Sequence, residues 1–456
     1  MPSPADSEKK QQGSAAEILA RFGARLGQRV RLETSDGLFT SGLLIPRYEH
    51  ADSKHIVLKL RSGYNIGVKV SKIQAISVLK DEPTRSQAVE KPVVTRPAPE
   101  DSRKSLLLLS TGGTIASRID YRTGAVHPAL SAMDLYAAIP ELDQIANIAP
   151  EVVFSVYSEN MGPKQWEVLS ERIVQRTKEK SPDGIVVMIG TDTLAYASAA
   201  LSFSLIGHEI PVVLVGAQRS TDRPSSDGAL NLKAAAAFAV DSHLAGVYVA
   251  MHATENDDFI AIHSGPRVRK NHTSRRNAFE SIDVPYVARV KGTEIVFSQT
   301  IEQRQGSKPE ASFALKTKFD ENVALVKFHP GFDHKILEYL SNERKVKGII
   351  IEGSGLGHVN SAAVTSIAEI TKKGIFVGIT SQCIWGHVDL NVYDSGRDLI
   401  SAGGVPLENM IPETAFAKLS WALANFDNAG EIMLTNLVGE STPRIPLKVE
   451  KESQMV

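Results

Sequence analysis

Short, unbroken apolar runs that stop abruptly in loops of glycine and hydroxyl residues constrain this chain more than any other feature. Ser105-Leu-Leu-Leu-Leu109 leads into Thr111-Gly-Gly-Thr-Ile-Ala116, and Gly184-Ile-Val-Val-Met-Ile189 leads into Gly190-Thr-Asp-Thr193. A strand with no polar alternation has both faces buried, which is the pattern of a parallel sheet covered by helices. Helical spacing lies between such runs. Pro163 stands at a first-turn position before Lys164–Lys180, where Trp166, Leu169, Ile173 and Val174 share a face. Thr193–Ile206 and Gly228–Val240 read as further helices, with strands at Val152–Val156, Val212–Val215 and Gly246–Ala250. The alternation predicts a doubly wound α/β sheet, whose strand carboxyl ends are where such sheets bind small ligands.

A chain of 456 residues has room for two or three domains. We divide it into a polar tail (1–20), a small β-barrel (21–80), a linker (81–103), a larger α/β domain (104–315), a smaller α/β domain (316–440) and a tail (441–456). The barrel rests on five short strand-like segments between Gln28 and Leu79, with Ser35-Asp-Gly37 as a hairpin-type turn. The linker is rich in proline and charge. Asn256–Phe319 reads as irregular and contains the charged run Arg267–Arg276. Beyond it, Val323–Phe328, Gly348–Glu352 and Ile375–Ile379 begin a second strand–helix set, and Gly430 onward reads as a packed tail.

Fifty-one basic residues against 52 acidic ones give no global field favouring nucleic acid or anionic membrane. The single cysteine, Cys383, excludes an intramolecular disulfide framework and a multi-cysteine zinc site; with no evident basic neighbour it reads as buried and inert. The polar N-terminus has no secretory apolar core and no run reaches membrane-span length, so a soluble, cytoplasmic chain is expected.

Four loops should gather on one rim: Thr111–Thr114, Ser158-Glu-Asn160, Gly190–Thr193 and Gly216–Asp227. They are dense in hydroxyls, carboxamides and carboxylates while the strands feeding them are apolar, the contrast a ligand pocket needs. Thr-Gly-Gly-Thr alone could be a strand–helix turn or a phosphate cradle, although no Gly-Lys-Ser/Thr ending follows. Thr191-Asp192 alone could be a helix N-cap, and Lys270 alone a solvated surface residue. The chemical reading joins them: a threonine hydroxyl becomes a nucleophile only when its proton is taken, and a carboxylate beside an amine can relay it.

Taken together, the motifs resemble the L-asparaginase family, with its Thr-Gly-Gly-Thr-Ile turn, its Gly-Thr-Asp-Thr turn and a later Lys-x-x-Thr segment, over about 105–426. The resemblance implies a larger α/β domain carrying the active site and a smaller α/β domain after it. It also implies Thr114 as nucleophile, Thr191, Asp192 and Lys270 as the proton relay, and Tyr121, Ser158 and Glu159 as substrate-binding residues. Glu159 departs from the usual Ser-Gln pair and could grip a substrate α-ammonium group. Gly216–Asp227, Arg269–Arg276, Asp389–Arg397 and the N-terminal barrel are similar to one branch, the D subunits of archaeal glutamyl-tRNA(Gln) amidotransferases. That branch implies glutamine hydrolysis with ammonia passed to an E subunit. The E subunit would carry ATP and Mg and make most contacts with Glu-tRNA(Gln). No cofactor or metal is expected in this chain, which would self-associate as a dimer in a two-plus-two heterotetramer.

Two other readings stay open: a free-standing cytoplasmic L-asparaginase or glutaminase, and an inactive scaffold binding RNA or protein through its barrel. His252, His263, His272, His358 and His387 show no metal-ligand spacing and read as structural. Gly353-Ser-Gly-Leu-Gly-His358 reads as a tight turn.

Overall fold

The computed structural model describes residues 14–45, 53–60, 65–79, 103–112, 117–119, 126–128, 140–219, 225–298 and 311–442. Thr114, Tyr121, most of the linker and the two chain ends lie outside the described residues.

Strands β1 (Arg29–Thr34), β2 (Phe39–Ile45), β3 (His55–Lys59), β4 (Asn65–Lys69) and β5 (Ile73–Val78) form one antiparallel sheet in the order β4-β3-β2-β1-β5. Their alternation puts Val30, Leu32, Leu44, Ile56, Leu58 and Ile76 into one core. The end of the stretch read as a polar tail is helical: the helix Ala15–Arg21 begins in it, and its Ile18 and Leu19 pack on that core. The missed signal is a capping box: Ser14 N–H donates to Glu17 Oε2 at 2.7 Å and Glu17 N–H to Ser14 Oγ at 3.3 Å.

β6 (Ser105–Ser110) opens the larger α/β part, while the short antiparallel pair β7 (Ser117–Ile119) and β8 (Val126–Pro128) groups with the N-terminal unit. β9 (Asn147–Val152), β10 (Gly184–Met188), β11 (Pro211–Val215) and β12 (Gly246–His252) join β6 as five parallel strands in the order β12-β11-β10-β6-β9. The strand expected at 152–156 lies five residues earlier. It contains Pro150, which is tolerated because, among the described residues, β9 is an edge strand pairing only with β6. The helices Pro163–Lys180, Leu194–Ser204 and Gly228–Asp241 cover the sheet.

Part of the stretch read as irregular extends this sheet. β13 (Ile260–Ser264), β16 (Ala288–Lys291) and β17 (Glu294–Phe297) add an antiparallel edge, and β14 (Val268–Lys270) pairs separately with β15 (Phe279–Ser281). These strands are short, and Arg289, Lys291 and Glu294 interrupt their apolar content, so no period announces them.

β18 (Val323–Lys327), β19 (Gly348–Gly353), β20 (Phe376–Ser381) and β21 (Gly404–Pro406) form the smaller parallel sheet. The helix Pro412–Asn425 leaves this lobe and buries Ala417, Trp421 and Ala422 in the core of the larger one. Phe203 stacks on Trp421 at 5.6 Å between centroids. The segment after Gly430 packs here too, in part as the helix Ala429–Leu434, and Lys418 explains how. Fully buried, it donates to Glu440 Oε1 at 2.6 Å, Thr435 O at 2.6 Å and Met433 O at 3.1 Å. Ser354 and His358 pair across the Gly353–His358 turn, as expected. Cys383 corrects the reading: it is exposed, on the loop after β20, with its N–H bound to Ser381 Oγ. Among the described residues no helix is long and apolar enough to cross a membrane.

Removing one partner of a buried pair strands the other charge, so Glu440→Ala should cost about 3–5 kcal/mol, read as an earlier guanidinium midpoint. His263 gives a pH test. Burial lowers its pKa to about 4 while Nδ1 meets Ser281 Oγ at 2.8 Å. The unfolded chain takes up that proton near pH 6.5, so stability should fall as pH drops from 6.5 through 4, by about 3 kcal/mol at full extent. Urea midpoints of His263→Gln should decline less than those of the parent over this window; equal declines would rule His263 out as the source.

Candidate functional site

Because β6, β10, β11 and β12 run parallel and adjacent, their carboxyl ends share one rim, and the described starts of the expected loops lie there, Gly112 beside Val156, Gly190 beside Ser158 and Gly216 beside Thr191. Thr111 is structural: it is buried, and both its N–H and its hydroxyl donate to Met188 O at 3.0 Å, stitching β6 to β10. Gly112 follows at φ +99°, and a Cβ there would lie 2.7 Å from Val156 O, so the turn requires glycine.

The Gly190–Thr193 loop behaves differently from a helix cap. The helix begins at Leu194, with Thr193 in the cap position, yet the Thr193 side chain makes no capping hydrogen bond. The Thr193 hydroxyl donates instead to Ser158 O at 2.7 Å, fastening the neighbouring loop. Thr191 is buried and Asp192 is exposed. Lys270, 13% exposed on β14, extends its ammonium group between them, donating to Thr191 Oγ1 at 2.9 Å and Asp192 Oδ1 at 2.7 Å. The buried Ser158 hydroxyl donates to the other Asp192 oxygen at 3.2 Å. The Lys270 hydrogen bond holds the Asp192 carboxyl below the usual range against partial burial, and Ser158 adds a smaller pull in the same direction.

Four of the seven expected site residues thus form one connected group: Ser158, Thr191, Asp192 and Lys270. Glu159 is exposed in the single turn Ser158–Asn160, and Thr114 and Tyr121 lie outside the described residues. Sequence reasoning overlooked Thr193, although it belongs to the motif, and Gly216, where a Cβ would stand 2.6 Å from Thr191 Cγ2. It also missed the support behind the rim. Asp227 accepts Gln218 N–H at 3.0 Å and Asn231 Nδ2 at 3.1 Å, and His252 Nδ1 donates to Asn231 Oδ1 at 2.6 Å. No group of acidic, histidine and cysteine side chains able to hold a metal occurs among the described residues.

A hydroxyl, an amine and a carboxylate in contact form a path for moving a proton to or from a bound substrate. That group, on the strand carboxyl ends of an α/β sheet, is the arrangement expected of an asparaginase-like protein. The comparisons agree: residues 105–303 match the family described as Asparaginase, N-terminal, and 322–433 the Glutaminase/Asparaginase C-terminal domain. The thermostable L-asparaginase from Thermococcus kodakarensis superposes with a TM-score of 0.65 at 33% identity, covering 75% of this chain and all of that one. Residues 24–79 match the GatD N-terminal domain. The D subunit of the glutamyl-tRNA(Gln) amidotransferase from Pyrococcus furiosus is 43% identical, over 94% of this chain and 97% of its own length; its counterpart from Methanopyrus kandleri is 42% identical, over 94% of each. The chain belongs to the family of glutamyl-tRNA(Gln) amidotransferase D subunits.

Replacing Lys270 by Met removes the chief cause of the low Asp192 pKa, so that carboxyl should titrate at higher pH in a 13C NMR titration, with a smaller rise in Ser158→Ala. An unmoved midpoint in Lys270→Met would show that the pair does not form in solution.

Proposed function

We propose that this chain is the glutaminase subunit of a tRNA-dependent amidotransferase, releasing ammonia from the side-chain amide of L-glutamine. The observation that carries the proposal is the Lys270 ammonium group within hydrogen-bond reach of both Thr191 and Asp192. Thr114 attacks the amide carbon, and backbone N–H groups hold the oxyanion. The C–N bond breaks, the leaving nitrogen takes a proton through the relay, and a threonyl ester remains. Water then attacks the ester, glutamate departs, and Thr114 regains its proton. Lys270 is the donor in both of its hydrogen bonds, so it accepts a proton only after giving one up. Tyr121, Ser158 and Glu159 bind the substrate, Glu159 as counter-ion to the α-ammonium group.

The relatives' names, which describe a D subunit of an amidotransferase, support work within a larger assembly; in this reading the partner is an E subunit and the setting is the cytoplasm. That partner holds ATP and Mg, activates the glutamate of Glu-tRNA(Gln) and replaces phosphate with ammonia. Most ammonia in neutral water is ammonium, which has no lone pair for attack, so transfer within the complex favours the reaction. Two copies of each subunit make the expected heterotetramer.

The test is ammonia release from glutamine and from asparagine, by the full chain alone and with its partner and tRNA. Thr114→Ala, Thr191→Ala, Asp192→Asn and Lys270→Ala should each lower glutamine turnover about 100-fold or more. Turnover of asparagine in preference to glutamine, without need of a partner, would point to a free-standing asparaginase. Full activity in Thr114→Ala and Lys270→Ala would overturn the residue assignment.

A further inference from the structure

Lys270 ends a strand only three residues long, β14, whose ladder partner β15 is equally short. A two-stranded ribbon of that size cannot by itself hold a long side chain in place. What holds it comes from far along the chain. Pro266 O accepts the Thr414 hydroxyl at 2.8 Å. The guanidinium of Arg267 donates to Asn409 O at 3.0 Å and Glu440 O at 2.7 Å. Arg269 Nε lies 3.3 Å from Glu413 Oε1. Three of the four residues preceding Lys270 are therefore gripped by 409–440.

Strand alternation divides the work. Val268 enters the core of the larger lobe, fully buried, and Lys270 reaches Thr191 and Asp192. Arg269 turns the other way, towards Glu413 in the first turn of the helix Pro412–Asn425. Glu413 is buried, and among the described residues its Oε2 has no hydrogen-bond partner. A carboxylate so enclosed has few other partners to turn to, which favours its ion pair with Arg269. Burial pushes the Glu413 carboxyl up, and the Arg269 charge opposes that shift.

The same helix also packs on the one that follows Thr191 and Asp192. Tyr196 meets Phe416 edge-on at 6.0 Å, and Phe203 stacks on Trp421. One helix of the smaller lobe thus braces both halves of the relay. Building on the reading of Lys270 as the proton carrier, we propose that Arg269 and Glu413 are positioning residues. Their ion pair pins β14 to the smaller lobe and so sets where the Lys270 ammonium group stands relative to Thr191 and Asp192. Its hydrogen bonds, 2.9 and 2.7 Å long, would be lost on a shift of about 1 Å, a misplacement able to cost about 100-fold in rate.

The test compares glutamine hydrolysis by the full chain, with its partner where activity needs one, across five variants: Glu413→Ala, Arg269→Gln, Arg269→Lys, the double variant Glu413→Ala/Arg269→Gln, and Lys270→Ala. Melting temperatures are recorded for each. We expect Glu413→Ala and Arg269→Gln each to lower kcat by about tenfold or more while KM stays within about twofold. Arg269→Lys, which still presents a cation to Glu413, should recover most of the loss. The double variant should fall no further than the worse single one, because the two residues act as a unit. Parental kcat in both single variants, alongside an inactive Lys270→Ala, overturns the pinning and leaves the relay standing. Full activity in Lys270→Ala instead overturns the reading beneath it. A loss that Arg269→Lys does not recover, accompanied by raised KM and a lower melting temperature, marks general loosening and also overturns the proposal. Should Glu413→Ala fail to fold, the Arg269→Gln and Arg269→Lys comparison decides alone.

Discussion

The guanidinium of Arg267 is the constraint around which the two α/β lobes are organised. It is 1% exposed, and a charge so placed costs several kcal/mol unless its hydrogens find acceptors. Its acceptors are Ile282 O at 3.1 Å, Asn409 O at 3.0 Å, Asn409 Oδ1 at 3.3 Å and Glu440 O at 2.7 Å, with the Asp283 carboxylate 3.7 Å away. These acceptors come from three separate segments, so satisfying one side chain brings the larger lobe, the smaller lobe and the closing tail together. Asp283 accepts in turn from Asn409 Nδ2 at 3.1 Å and Gly386 N–H at 3.2 Å. A buried charge of this kind acts less as a source of net stability than as a condition on how the lobes meet.

Arg267 stands three residues before Lys270, so the strand that carries the Lys270 ammonium group starts from that junction. The Lys270–Asp192 pair adds little stability itself, because the carboxylate is 68% exposed and water screens the attraction. Its consequence is orientation. With Thr191 and Ser158 bonded into the same group, the ammonium, hydroxyl and carboxylate are held in one arrangement, the preorganisation that the proposed reaction calls for.

Much of this was legible in the residues. The runs at 105–109 and 184–189 read as buried parallel strands and are β6 and β10, and the described starts of the loops after them, Thr111–Gly112 and Gly190–Thr193, lie at neighbouring strand ends. The elements that escaped had weaker or misleading signals. Pro150 argues against a strand until an edge position excuses it, and Ala15–Arg21 is too short to show a helical period. Strands β16 and β17 carry charges on faces that are partly exposed. Lys418, Glu413 and Glu440 would pass for ordinary surface residues, yet all three are buried.

The amino-acid sequence by itself determined the alternation of strand and helix, the turn at Gly112 and the kinds of chemical group presented on the rim. Those properties follow from local rules: apolar period, backbone freedom and side-chain chemistry act over a few residues. Only the tertiary structure decided that Lys270 meets Thr191 from 79 positions away, that Thr193 fastens a neighbouring loop rather than capping its helix, and that a helix of the smaller lobe stands behind both. Such pairings depend on which buried faces fit one another and which enclosed charges find partners, and no local stretch of sequence carries that information.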